Sequence, residues 1–252
     1  LVGDVVKVKV GIKTTADNVF IRNDWDTLPE HLQPEKELLL PLTDRFRIER
    51  WLPKTHSACP RVLYPYDPTS SKRRPISLES FPKAAAYLQS HKRQLEGRDY
   101  VVNAGREWFE IWVPHQPRDW ALPKVVFPDI AQKPTFALIT DGSIVNGNCY
   151  WICAPSPSGK DILFLLMGVC NSRFIEHYHD IAFNNKLYSG RRRFLTQYVS
   201  KYPLPDLDST AASQIIALVA KLLRENNGHY EIQSSIEQLL QDYFKVRLPK
   251  VN

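Results

Sequence analysis

Prolines most constrain what this chain can fold into. Nineteen prolines stand against ten glycines in 252 residues. Each one removes a backbone donor and fixes φ, so it stops a helix or confines a strand to an edge. Spread from Pro29 to Pro157, they predict short extended segments joined by stiff turns rather than long helices. The fold class that follows is α+β, a sheet-rich body with peripheral helices.

The apolar pattern places the elements. Val2, Val5, Val8 and Val10 alternate with Lys7 and Lys9, break at Gly11 and resume at Val19-Phe20-Ile21, which predicts strand, turn and strand. A short element covers Asp44 to Trp51, a strand begins at Arg61, and Asp67 to Arg74 is a polar turn. A helix starts at Pro82, where proline suits the first helical position, and stops at Gly97. Strands are predicted at Trp108–Val113, Lys124–Phe127, Phe136–Ile139 and Cys149–Ala154. Asp161 is expected to cap a buried helix carrying Ile162, Leu165, Leu166 and Val169, continuing past Asn171 toward Tyr178. After Tyr202-Pro-Leu-Pro, Ser209 or Asp208 caps a helix with Ile215, Ile216, Val219, Leu222 and Leu223 on one stripe. A second helix carries Ile232, Ile236, Leu239, Leu240 and Phe244. Residues 1–207 are thus expected to form one unit, and 208–252 a helical hairpin that packs on it or on a neighbouring domain.

Composition is that of a globular chain, 43% hydrophobic and 24% charged. The longest apolar run, Ile162 to Cys170, is too short to span a bilayer. No basic-then-apolar leader opens the sequence, so no membrane partner and a cytoplasmic location are expected. A start at Leu1 rather than Met reads as a piece of a longer polypeptide. Cys59, Cys149, Cys153 and Cys170 form neither a disulfide framework nor paired zinc knuckles, and read as buried thiols.

Chemistry-bearing motifs are scarce. There is no glycine-rich nucleotide turn, no Walker loop, no Gly-x-Ser-x-Gly elbow and no His-Glu-x-x-His helix. Pro65-Tyr66-Asp67-Pro68 lacks the asparagine that an Asn-Pro-Pro-Tyr methyl-transfer loop requires. Glu107, Glu110, Asp119 and Lys124 could be assembled into a magnesium nuclease set only on paper. His177 and His179, two apart on a helix, point to different faces. No catalytic, cofactor-binding or metal-binding residue is assigned.

A recognition inventory remains. The net charge is +6, and residues 131–202 carry 8 basic against 4 acidic groups. Cations gather in polar loops: Lys13 beside Thr14 and Thr15, Lys72-Arg73-Arg74, and Arg191-Arg192-Arg193. Such groups can neutralise phosphates or read base edges.

The order of segments resembles the TaqI-type C-terminal specificity domain of adenine DNA methyltransferases and type IIG restriction-modification enzymes, over residues 1 to 207. Gly11-Ile-Lys-Thr-Thr-Ala-Asp-Asn-Val-Phe is similar to the opening Gly-x-x-Thr-Gly-x-Asp-x-x-Phe turn, with Thr15 where the family has glycine. Arg106-x-Trp-Phe-Glu, Pro123-Lys-Val-Val-Phe, Asn146–Ile152, Leu165–Ser172, an arginine-bearing loop and Tyr202-Pro-Leu-Pro follow in the family's order. The resemblance implies a non-catalytic reader of double-stranded DNA, tethered to a bacterial methyltransferase domain that would hold S-adenosylmethionine. It implies a DNA face lined by Lys13, Thr14, Thr15, Lys72, Arg73, Arg74, Arg106, Arg191, Arg192 and Arg193. Trp108, Phe109 and Leu165 read as core. Two other readings stand beside it: an interaction or scaffold domain with incidental basic loops, and an autonomous nuclease.

Overall fold

The computed structural model describes residues 1–54, 59–154, 159–225 and 229–249. In these residues ten short strands and a set of helices make an α+β fold. The strands are β1 (Lys9–Val10), β2 (Ile21–Arg22), β3 (Leu39–Thr43), β4 (Arg61–Leu63), β5 (Lys124–Pro128), β6 (Ile130–Ala131), β7 (Ala137–Ile139), β8 (Ile144–Val145), β9 (Cys149–Cys153) and β10 (Arg192–Arg193). Among the described residues no strand exceeds five residues, as the prolines predict. Pro60 and Pro65 bracket β4, Pro123 precedes β5, and Pro128 ends it.

Strands β1-β9-β5-β7 form a wholly antiparallel central sheet. Strand β5 is buried along its whole length, because a continuous apolar run suits a strand covered on both faces. Its alternation divides two cores. Val126, with Trp151 of β9 and Ala137 and Ile139 of β7, faces the second sheet, β2-β4-β3-β8, whose core includes Trp25, Leu42, Val62 and Tyr87. Val125, Phe127 and Ile152 face the helices, among Leu163, Leu166, Phe174 and Ile215. Sheet, sheet and helices therefore stack in three layers.

The 160–183 region is two helices, Lys160–Cys170 and Arg173–Phe183, where one continuing helix was expected. The break has a use. Asn171 Nδ2 donates to Phe136 O and Phe136 N donates to Asn171 Oδ1, both at 2.9 Å, so the amide imitates a sheet partner just before β7. Ser172 then caps the next helix, accepting from Ile175 N at 3.1 Å. The first helix follows Gly159 with no side-chain cap, and Asp161 lies inside its first turn. Ser209, by contrast, caps the Thr210–Leu222 helix as read, accepting from Ala212 N. That helix lies against Gly168, where a Cβ would meet Ile215 Cγ2 at 2.4 Å. Phe244, just after the His229–Tyr243 helix, stacks on Phe174 at 4.9 Å.

Three more expectations change. Val2–Val5 forms a helical turn, not a strand, with Val2 N and Gly3 N donating to Tyr202 O and Ser200 O at 2.9 and 2.8 Å. Val19 and Phe20 belong to the Asp17–Phe20 turn. Trp108–Val113 forms turns, with a single bridge from Val113 to Lys13. Its carbonyls find side-chain donors instead of a ladder: Arg98 reaches Trp108 O at 2.6 Å, and Arg106 reaches Ile111 O and Trp112 O at 3.2 and 2.6 Å.

Lys124 is fully buried, and its ammonium donates to Trp120 O at 2.7 Å and Ser143 O at 3.3 Å. Burial pulls its pKa down from 10.5 to about 8. The folded chain holds this proton less well than the unfolded one, so the lysine's own contribution to stability is flat below about pH 8 and climbs from there toward 10.5. The Cys149 and Cys170 thiols, whose pKa burial raises, pull the other way in the same range. Measured against Lys124→Met, the intact chain should therefore gain roughly 1–2 kcal/mol in urea unfolding between pH 7.5 and pH 9.5.

Candidate nucleic-acid interface

Two turns distant in sequence meet through glycine. A Cβ at Gly11 would lie 2.0 Å from Asn146 O, and one at Gly147 would lie 2.5 Å from Ile12 O. The bare backbones can therefore touch: Gly11 N donates to Cys149 O and Ile12 N to Val145 O, each at 2.8 Å. This contact sets the Lys13–Asn18 turn beside Asn146-Gly147-Asn148.

The first turn is held from below. Thr14 is buried; its hydroxyl donates to the Asp17 carboxylate and accepts from Ala16 N at 3.1 Å. Arg98, also buried, donates to Thr14 O at 2.9 Å. Lys13, Thr15, Asp17 and Asn18 are left facing solvent. Asn18 pairs with Gln94 through two amide hydrogen bonds, 2.9 and 3.3 Å long. In the second turn Asn148 N donates to Asn146 Oδ1 at 3.0 Å, and Asn148 Oδ1 accepts from Arg45 N at 3.3 Å.

A groove of about 770 Å³ runs between the turns, lined by Lys13, Thr15, Asn18, Gln94, Asn146 and Asn148 together with Asp17 and Asp129. Asp129 pairs with Arg193 at 2.7 Å, while the exposed Asp17 accepts from the neutral Thr14 hydroxyl. What the groove offers a ligand is therefore amides, the Lys13 ammonium and one carboxylate.

Thr15 sits at φ 58°, in the left-handed region that a β-branched residue rarely adopts. This is where the resembled family has glycine. Relief of that strain outweighs the extra chain entropy of glycine, so Thr15→Gly should raise stability by about 1 kcal/mol, read as a higher urea midpoint.

The ten residues singled out in the sequence divide. Lys13 and Thr15 line the groove, Thr14 lies beneath them, and Arg193 reaches its wall through Asp129. Arg191 is exposed after Ser189 and Gly190, both at positive φ. Arg192 points inward instead: its guanidinium holds Asp180 at 2.5 and 2.8 Å, Glu176 at 3.1 Å, and Gln132 O. It keeps the Asp180 carboxyl below its ordinary value. Arg106 is likewise tied to the carbonyls of 111 and 112, with its guanidinium 5.0 Å from the Trp112 ring centroid. Lys72, Arg73 and Arg74 are exposed on a turn beside Gln116 and do not border the groove, although Arg74 edges a separate cleft with Asp67, Glu107 and Phe109. Sequence reading missed Asn18, Gln94, Asn146, Asn148 and Arg45. Only Asn146 and Asn148 carried a signal, two amides close together in a turn; Asn18 and Gln94 lie in helical segments and Arg45 in a separate turn.

The nuclease set does not assemble. Glu110 is buried and accepts from Glu107 N, Asp119 pairs with Lys9 at 2.8 Å, and the Lys124 ammonium is bound to carbonyls. Both ring nitrogens of His179 are engaged, with Tyr202 Oη at 2.7 Å and Asn185 Oδ1 at 2.8 Å. Among the described residues, no group of three His, Cys, Asp or Glu is placed to hold a metal ion. Nor is any of their helices long and apolar enough to cross a membrane.

A layered α+β body carries a polar, amide-rich groove between two turns. No family model matches the chain. It is 44% identical to the type II methyltransferase M.BanIII of Aneurinibacillus aneurinilyticus over 239 residues, 94% of this chain and 41% of that protein. It is 27% identical to the type II methyltransferase M.BstVI of Geobacillus stearothermophilus over 215 residues, 82% of this chain and 34% of the relative. The chain thus spans well under half the length of these relatives. Its fold matches part of the type IIL restriction-modification enzyme MmeI, solved in complex with DNA, at a TM-score of 0.69 and 12% identity, covering 98% of this chain and 34% of that one. The chain is homologous to one portion of type II methyltransferases, which bears out the resemblance read from the order of its motifs.

Proposed function

We propose that the chain is the DNA target-recognition part of a bacterial adenine-N6 methyltransferase or fused type II restriction-modification protein, and that the groove between the Lys13–Asn18 and Asn146–Asn148 turns faces double-stranded DNA. The observation that carries this reading is the groove's make-up: amides, Thr15 and Lys13 around turns locked by backbone contact, with Asp129 paired to Arg193. Rigid presentation of polar groups is what base reading needs, because loosely held side chains would give up the gain as entropy. Lys13 and Arg45 flank the base-reading amides as phosphate contacts, and Lys72, Arg73, Arg74 and Arg191 supply further phosphate contacts from their own exposed turns. None of these four forms an ion pair among the described residues. Residues 1–207 make up the recognition unit, and residues 208–252 brace it through the Thr210–Leu222 helix, which lies against the Lys160–Cys170 helix. Methyl transfer and the S-adenosylmethionine it consumes belong to a tethered domain outside these residues, which would act on an extruded adenine.

The test is fluorescence anisotropy with a labelled duplex across a salt series. Affinity should fall more than about tenfold between 50 and 200 mM salt. Lys13→Ala should lower the slope of log affinity against log salt by about 1. Binding that does not respond to salt, or no binding at all, would refute the proposal.

A further inference from the structure

The Asn18–Gln94 pair has the geometry to tell base pairs apart. The two residues are exposed, lie 76 positions apart and close a ring: Gln94 Nε2 donates to Asn18 Oδ1 at 2.9 Å, and Asn18 Nδ2 donates to Gln94 Oε1 at 3.3 Å. A primary amide carries two N–H donors and two carbonyl lone pairs. Once the ring is closed, each side chain keeps one of each. On one flank the spare N–H of Asn18 lies beside the spare lone pair of Gln94 Oε1, one hydrogen-bond length apart. The major-groove edge of an A·T pair presents the complement, the adenine N6 amine beside thymine O4. Each amide also holds the other in place, so little side-chain freedom is left to lose on binding.

The same flank would fit a C·G pair, through cytosine N4 and guanine O6. Thymine is distinguished by its methyl group. Thr15 lines the same groove, and its hydroxyl is committed to Thr14 O at 2.5 Å. The methyl is the free apolar group of that side chain, and threonine methyls contact thymine methyls. This gives a reason for a threonine to occupy a left-handed position at a cost in stability.

We propose that Asn18, Gln94 and Thr15 together read one A·T pair in the major groove of the bound duplex. This rests on the groove being the DNA face. Adenine N6 donates to Gln94 Oε1, Asn18 Nδ2 donates to thymine O4, and the thymine methyl packs on Thr15.

The experiment starts with selection of duplexes from a randomised pool by the intact chain, followed by affinities for the selected site and its single-base substitutions. Asn18→Leu and Gln94→Met keep side-chain volume and add no charge. Each should lose about tenfold affinity for the selected site, and discrimination should vanish at one A·T position only, with unchanged melting of the protein. Deoxyuridine in place of that thymine should weaken the intact chain several-fold and leave Thr15→Gly unaffected. Variants that discriminate at every position as the intact chain does would overturn this assignment while leaving DNA recognition standing. An intact chain that selects no duplex would overturn the recognition reading itself.

Discussion

Gly11→Ala should destabilise the chain by at least about 3 kcal/mol and remove duplex binding with it. The added Cβ would sit 2.0 Å from Asn146 O, 2.3 Å from Asn146 C and 2.6 Å from Val145 O. All three are backbone atoms, so no side chain can swing aside, and the turns must separate. Separation breaks the hydrogen bonds from Gly11 N to Cys149 O and from Ile12 N to Val145 O. Overpacking alone costs roughly 1–3 kcal/mol, and each lost bond adds about 1. Gly97→Ala is the control. Gly97 has φ −64°, and its Cβ would meet nothing nearer than 3.5 Å. It should be neutral or slightly stabilising. Urea unfolding of the two variants checks both.

Arg192→Ala is the second large effect, about 3 kcal/mol. Removing a buried guanidinium leaves Asp180 and Glu176 without their shared partner and two carbonyls without a donor. Breaking a buried ion pair from one side costs about 3–5 kcal/mol. The lower end applies here because Lys186 still holds Asp180 at 3.1 Å. For a chain of this size the melting temperature should drop by roughly 6–12 °C. Below that melting point, duplex affinity and its salt slope should match the intact chain. Arg193→Ala should do the reverse: it leaves the melting temperature nearly unchanged, frees the Asp129 carboxylate in the groove and weakens DNA binding. A calorimetric scan and an anisotropy titration on the same two variants separate the roles.

That contrast marks the limit of what the sequence revealed. Arg191, Arg192 and Arg193 are chemically alike, and only the pairing of β10 with β6 turns Arg192 inward and Arg193 outward, by the two-residue period of a strand. Where the local pattern decides the outcome it was legible: the apolar runs of β5 and β9, the helix opening at Pro82, the Ser209 cap. It failed where a side chain from outside the segment supplies what a ladder would. Trp108–Val113 looks like a strand because its side chains are apolar, yet its carbonyls are claimed by Arg98 and Arg106. The groove was half legible for the same reason. The Gly11–Phe20 turn stood out, but nothing local shows that Asn146 and Asn148 lie against it, or that Gln94 closes on Asn18.

The most direct test of the groove as the DNA face is hydrogen exchange by mass spectrometry, with and without a bound duplex. Protection should concentrate in peptides covering residues 11–20 and 144–149, with the Thr210–Leu222 and His229–Tyr243 helices unchanged. Protection confined to those helices, with the two turns exchanging as in the free chain, would contradict the account.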